Sequence, residues 1–190
     1  MLRIQSGIAR GRLLVGLHAG VDVRPILARI RKSLFDILRP RLAGSFFLDL
    51  FAGTGAVGLE ALSNGAARAV FVDGNRRCCR AIEGNAARLG FADQAEVHCG
   101  DITKSLAWLK GRPFDLVFLG PPYKDAEKSP LALTIATLMR VEEAGLLAPG
   151  GWVIAQHHKK EPVDDVSGKW EMFRRNYYGD SVLSFFQFKG

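Results

Sequence analysis

At 190 residues, 48% hydrophobic and 24% charged, the chain has the composition of one soluble domain with a sizeable core. No apolar run reaches the roughly 18–20 residues that span a bilayer. Met1-Leu2-Arg3-Ile4-Gln5-Ser6 also lacks the apolar stretch of a secretory signal, so a cytoplasmic chain with no membrane partner is expected. The formal charge of +7 lies within residues 1–41, where nine Arg and Lys face only Asp22 and Asp36. Such a segment is the footprint of phosphate-backbone binding, and Arg10, Arg12 and Arg24 are its candidate phosphate contacts. A solvated arginine-rich helix face has the same composition. Cys78, Cys79 and Cys99 form no Cys-x-x-Cys pair, which argues against a disulfide framework and a zinc site, so no metal is expected.

In chain order, residues 2–17 read as two short strands around Ala9-Arg10-Gly11-Arg12, a hairpin. Arg24-Pro25 opens a helix whose Ile26, Ile30, Leu34, Ile37 and Leu38 recur at helical spacing up to Pro40. Residues 46–51 read as a strand, 57–64 as a helix stopped by Gly65, 69–72 as a strand, 75–89 as a helix stopped by Gly90, and 95–99 as a strand. Then come helical 102–110, strand 115–119, helical 129–143 and, after Pro149-Gly150-Gly151, strand 152–157. Strands alternating with helices predict a parallel sheet covered on both faces. Residues 170–178 and 181–188, joined by Gly179-Asp180, break the rhythm and predict a closing antiparallel hairpin.

The chemistry concentrates at two strand ends. Gly53-x-Gly55-x-x-Gly58 matches the dinucleotide fingerprint, with Asp73 twenty positions beyond Gly53 where a ribose-binding acid falls. An NAD-binding enzyme is therefore one reading. Asp49 favours another, because a carboxylate just ahead of the loop repels a pyrophosphate but suits a sulfonium ligand that carries an ammonium group. Asp73 reads as a ribose acceptor or as a cap for the next helix, a role that Asn75 also fits. Asp101 reads equally as an acceptor for an adenine amine or as a cap before Ile102. The second strand end is Gly120-Pro121-Pro122-Tyr123, which by itself is also a rigid turn.

Arg24-Pro25, Lys32-Ser33-Leu34-Phe35-Asp36-Ile37-Leu38, Phe47-Leu48-Asp49-Leu50-Phe51-Ala52-Gly53-Thr54-Gly55 and Gly58-Leu59-Glu60-Ala61-Leu62-Ser63 carry a resemblance. With Phe114-Asp115-Leu116-Val117-Phe118-Leu119 and Tyr177-Tyr178-Gly179-Asp180 it covers nearly the whole chain. The chain resembles the bacterial small-subunit (16S) ribosomal RNA guanine-N2 methyltransferases of the D type. The resemblance implies an α/β Rossmann-like class I methyltransferase fold, with a seven-stranded, mostly parallel sheet and a C-terminal antiparallel hairpin. A small N-terminal β-hairpin and helix precede it, giving a basic RNA-contacting extension at 1–41 and a methyltransferase domain at 42–190. It further implies S-adenosyl-L-methionine as cofactor, 16S ribosomal RNA or an assembling small subunit as partner, and a monomer. Asp49, Phe51, Gly53, Gly55, Asp73, Asp101 and Ile102 fall on cofactor positions, and Gly120, Pro121, Pro122 and Tyr123 on the catalytic corner.

Position 120 departs from the family's Asp or Asn before Pro-Pro-Tyr. An exocyclic amine is a poor nucleophile because its lone pair is delocalised into the ring. In the family pattern the Asp/Asn oxygen and a backbone carbonyl accept its two N–H bonds, and the aromatic residue stacks on the base. Gly120 offers only its carbonyl, and losing one preorganised contact costs about 10²–10³ in rate. An impaired homologue that binds cofactor and RNA therefore stands as one alternative, and an adenine-N6 or cytosine-N4 DNA methyltransferase, which shares the corner motif, as another.

Overall fold

The apolar runs of the first half become three short parallel strands, β1 (Phe46–Leu50), β2 (Arg68–Asp73) and β3 (Ala95–Cys99), in the order β3-β2-β1. Their register pairs Leu48 with Val70, which pairs in turn with Glu96. Phe47, Leu48 and Leu50 of β1 are all buried, as in a strand covered on both faces. The computed structural model describes residues 2–16, 26–123, 127, 129–164, 166 and 168–190, which divide into units 1–101 and 102–190.

Three helices pack in the first unit: α1 (Ala28–Leu42), α2 (Ala56–Ser63) and α3 (Arg76–Leu89). Helix α1 buries Ile30, Leu34, Leu38 and Leu42, one stripe at four-residue spacing. It runs two residues past the expected stop at Pro40, because the fully buried Leu42 anchors its last turn. Helix α2 is buried on every side, since the N-terminal arm covers the face turned away from the sheet. A Cβ at Gly58 would lie 2.2 Å from the Phe71 ring of β2, so only glycine permits this helix–strand approach. Helix α3 starts at the Asn75 side chain, which accepts the Arg77 N–H, and ends at Gly90 with φ 80°.

The expected N-terminal hairpin is looser than two strands. Its arms meet in one antiparallel bridge, Arg3 to Leu13, and the turn lies earlier than expected, at Ser6–Gly11. The arm binds α2 instead: the Ile8 N–H donates to the Ser63 carbonyl at 2.8 Å and the Ala9 N–H to the Ser63 hydroxyl at 3.0 Å. The helix opening at Arg24-Pro25 lies outside the described residues.

In the second unit β4 (Phe114–Leu119) pairs in parallel with β5 (Leu147–His158). Strand β7 (Ser181–Phe188) runs antiparallel to β5 and to β6 (Trp170–Tyr178). The Gly179-Asp180 connection has φ 67° at Gly179, as a first-position glycine of a II′ turn requires. All seven strands belong to one sheet, mostly parallel, with the C-terminal antiparallel hairpin that the sequence leads one to expect.

Two expected helices shrink. Residues 102–110 contain only a 3-10 turn, Ala107–Leu109, entered where the Ser105 hydroxyl accepts the Ala107 N–H. Ile102, Leu106 and Leu109 are buried, so the helical spacing marked core anchors on a bent segment. Helix α4 (Thr134–Glu143) starts five residues later than expected, at a Thr134 N–H bonded to the Glu161 carboxylate at 2.8 Å.

Candidate functional site

The first candidate site is built on the end of β1. Asp49 is 1% exposed, and its Oδ2 accepts the Gly58 N–H at 2.8 Å, the first turn of α2. Burial dominates its titration and pushes the carboxyl up to about 7, with Gly58 opposing the shift and Asp73 adding to it. Phe51 is not in the strand as expected; at φ 60° it is the one non-glycine residue with positive φ among the described residues. Such strain in an aromatic residue persists where the surroundings over-determine it, commonly beside a ligand.

Gly53 and Gly55 follow with φ 56° and 77°. The Gly53 N–H donates to Asp73 Oδ2 and the Asn75 N–H to Asp73 Oδ1, both at 2.8 Å. Asp73 therefore braces the glycine loop from the end of β2, while Asn75 caps α3. A carboxylate has about four acceptor positions, so each Asp73 oxygen keeps capacity for a ribose hydroxyl.

Asp101 is exposed just after β3, where the Gly100 N–H donates to the Asp73 carbonyl at 3.1 Å. The reading of Asp101 as a helix cap lapses, because no helix follows it. Ile102 is 2% exposed, so only its backbone can offer polar contacts. Asn85 belongs to this first site and was missed from the sequence. Its amide pairs with both the N–H and the carbonyl of Val15, at 2.8 and 3.1 Å, and donates to the Thr54 carbonyl of the glycine loop at 3.3 Å. An asparagine on the apolar side of an amphipathic helix was the available signal.

The second candidate site follows β4. Pro121 is buried, Pro122 exposed and Tyr123 half-buried. The Tyr123 hydroxyl donates to Ser181 Oγ at 3.2 Å and accepts from Gln156 Nε2 at 3.0 Å. His158 meets its ring edge-on, with centroids 5.9 Å apart. The ring is thereby clamped by β5 and β7, through Gln156 and Ser181 that the sequence did not single out. A Cβ at Gly120 would lie 3.0 Å from Phe118 Cε1, on a ring 3% exposed, so a larger residue there forces that ring to yield. His157 is structural: it bonds Ser184 Oγ at 2.9 Å, and burial first of all lowers its pKa and keeps it neutral.

The basic segment is less available than its charge implies. The Arg31 guanidinium is 1% exposed and pairs with Glu60 at 3.5 Å, burial lowering its pKa. Glu60, also missed, is fully buried and accepts the Gln5 N–H, the Ser6 N–H and the Ser6 hydroxyl. Lys32 and Arg39 both bond Asp36 at 2.7 Å. Arg12 donates to the carbonyls of Arg88 and Leu89 at the end of α3. Arg10 is exposed on the turn, and Arg24 lies outside the described residues. Among the described residues no group of three His, Cys, Asp or Glu could hold a metal, and no helix is long and apolar enough to cross a membrane.

A family model described as "Conserved hypothetical protein 95" matches residues 2–187. Ribosomal RNA small subunit methyltransferase D of Escherichia coli (strain K12) is 31% identical over 98% of this chain and 89% of its own length. A hypothetical protein of Thermus thermophilus has a solved structure that superposes with a TM-score of 0.78 at 34% identity, covering 97% of this chain and 98% of that one. The structure of an RNA methyltransferase from Salinibacter ruber in complex with S-adenosyl-L-homocysteine is 18% identical, with a TM-score of 0.63 over 85% of this chain and 92% of that one. The fold is thus the Rossmann-like class I methyltransferase fold.

Proposed function

The chain belongs to the Conserved hypothetical protein 95 family, and on that premise we propose that it is an S-adenosyl-L-methionine-dependent ribosomal RNA methyltransferase. Its target is the exocyclic N2 amine of a guanine in 16S RNA of an assembling small subunit, and it works as a monomer. The observation that carries the reading is Asp49, a wholly buried carboxylate ahead of the glycine loop with one N–H donor among the described residues. A cationic ligand offsets the cost of ionising it, and a pyrophosphate would raise that cost.

When bound, the cofactor supplies an electrophilic methyl group on a sulfonium. Asp73 holds the ribose hydroxyls with its remaining lone pairs while its other contacts fix the loop at Gly53. The strained Phe51 and the turn at Gly55 shape the loop against the ligand. Asp101 and the Ile102 backbone meet the adenine. Pro121 and Pro122 stiffen the corner, whose Gly120 and Pro121 carbonyls accept the guanine amine N–H bonds, and Tyr123 stacks on the base that is turned out of its helix. Residues 1–41, and Arg10 above all, supply phosphate contacts.

Gly120 favours a second reading, a homologue that binds cofactor and RNA but turns over slowly. The experiment for both is transfer of labelled methyl groups to small-subunit particles lacking the modification. Transfer to an N2-guanine supports the first reading. Saturable NAD binding with no response to S-adenosylhomocysteine would sink both. Because Phe118 crowds position 120, restoring the acceptor needs Gly120→Asp together with Phe118→Leu. On the second reading the pair should raise the transfer rate about ten- to a thousandfold, with Gly120→Asp alone gaining less and lowering stability, whereas an unchanged rate means that the two carbonyls suffice.

A further inference from the structure

Nothing in the spacing of the cysteines pairs them, yet the fold brings two together. Cys79 lies in the first turns of α3 and Cys99 ends β3, and their sulfurs are 2.7 Å apart. That is closer than two unbonded sulfurs ordinarily approach, and within an ångström of the roughly 2.05 Å of a disulfide bond. Their exposures differ in a useful way: Cys99 is exposed, while Cys79 is 6% and Cys78 1% exposed.

We propose that Cys79 and Cys99 form a redox-active dithiol site that a hydroperoxide closes into a reversible disulfide. The exposed Cys99 sulfur attacks the peroxide. The O–O bond breaks, an S–O bond forms, and the peroxide leaves reduced, as an alcohol or water, with Cys99 as its sulfenic acid. The Cys79 sulfur then attacks the Cys99 sulfur. The S–S bond forms, the S–O bond breaks, and the hydroxyl departs as water with the Cys79 proton. In sum two thiols and one hydroperoxide give one disulfide, one alcohol and one water. Burial and the neighbouring Cys99 push the Cys79 thiol up to about 12, so the first step falls on Cys99 and Cys79 resolves it.

The place of the site gives the chemistry a purpose. Cys79 Sγ lies 3.5 Å from the Asp73 carbonyl, and Gly100-Asp101 follows Cys99 directly. The bridge joins the two segments that carry Asp73 and Asp101. Closing it moves the sulfurs by less than an ångström, so both carboxylates stay where they are. A sulfinic acid at Cys99 would instead put an irreversible charge beside them.

The test treats the full chain with hydrogen peroxide, blocks remaining thiols by alkylation and maps peptides by mass. The expected product has lost two hydrogens, links Cys79 to Cys99, retains one alkylated thiol at Cys78 and reverts with dithiothreitol. Its unfolding temperature should rise by about 5 °C or more, with S-adenosylhomocysteine affinity changed less than about twofold. Cys79→Ser should accumulate oxygen adducts at Cys99 and no bridge, and Cys99→Ser should resist the same dose. A bridge through Cys78, or oxygen adducts alone in the wild type, overturns the proposal. The mass readout needs no methyl transfer, so it stands or falls independently of the proposed activity.

Discussion

Asp49 carries the sharpest residue-level consequence. Its folded pKa, about 7, lies above the roughly 3.9 of an unfolded chain. The folded state therefore holds the proton more tightly between those values, and the ligand-free protein should lose stability as pH rises from about 4 to about 7, then level off. The total loss is on the order of 4 kcal/mol. A cationic ligand reverses the preference by stabilising the carboxylate, so its binding releases a proton below pH 7 and tightens as pH rises towards 7. Calorimetry in buffers of different ionisation heat reads that proton directly, and Asp49→Asn should abolish both trends. A flat affinity between about pH 6 and about pH 8 in the wild type would remove Asp49 from the ligand's surroundings. Tyr123 separates two roles in the same way. Tyr123→Phe keeps the ring but loses the bonds to Ser181 and Gln156, so transfer should slow only a few-fold. Tyr123→Ala also removes the proposed base-stacking contact, worth about 1–3 kcal/mol, and should slow transfer by one to two powers of ten. Equal rates for the two variants would mean that the hydroxyl, not the ring, is what matters.

Helix α2 shows how an element carries information its own periodicity does not. Buried all round, it has no solvent face, and its one charged residue, Glu60, gathers the N-terminal arm and Arg31 of α1 around a single carboxylate. Glu60→Gln removes the charge that compensates a guanidinium 1% exposed, with a cost of about 3–5 kcal/mol. Denaturant unfolding should register that loss, and amide exchange should rise first at residues 4–14. Glu60→Gln with Arg31→Met should recover much of it, because the orphaned charge is gone. If the single substitution costs less than about 1 kcal/mol, the pair is not what fixes the arm. The same contrast explains which elements were legible in the sequence. Helix α3 was, because its cap Asn75, its stop Gly90 and its apolar stripe are local signals. Residues 102–110 were not, since Ile102, Leu106 and Leu109 reach the core on a bent segment whose helical content is one 3-10 turn, closed by the Leu109 N–H on the Leu106 carbonyl at 2.9 Å. The bounds of the hairpin β6–β7 were legible to the residue from its turn glycine and aromatic runs, but the register shift between Met172 and Arg174 was not.

At the scale of the molecule, the parallel sheet and its two chemically loaded strand ends could be read from the chain, but the use of its charge could not. Summed along the sequence, the excess cation lies in residues 1–41. In the fold part of it is engaged: Arg31 is buried against Glu60, Arg12 meets the carbonyl end of α3, and Lys32 and Arg39 share Asp36 at the surface. Arg10 and Arg29 are exposed and make no ion pair among the described residues. The proposed RNA contact of the segment should therefore divide by residue. Arg10→Ala and Arg29→Ala should each lower the slope of log affinity against log salt by about 0.7–0.9, the release of one phosphate's counterions, and leave the unfolding temperature unchanged. Arg12→Ala should do the opposite, lowering the unfolding temperature through the lost cap on α3 while the slope changes little. The measurement is a potassium chloride titration of binding to a 16S fragment beside thermal unfolding of the same samples. Should Arg12→Ala cut the slope and spare the unfolding temperature, its guanidinium serves RNA rather than α3. Should Arg10→Ala and Arg29→Ala leave the slope intact, the electrostatic term comes from other cations, of which Arg76, Arg77 and Arg80, exposed on the first turns of α3, form the group nearest Asp73 in sequence.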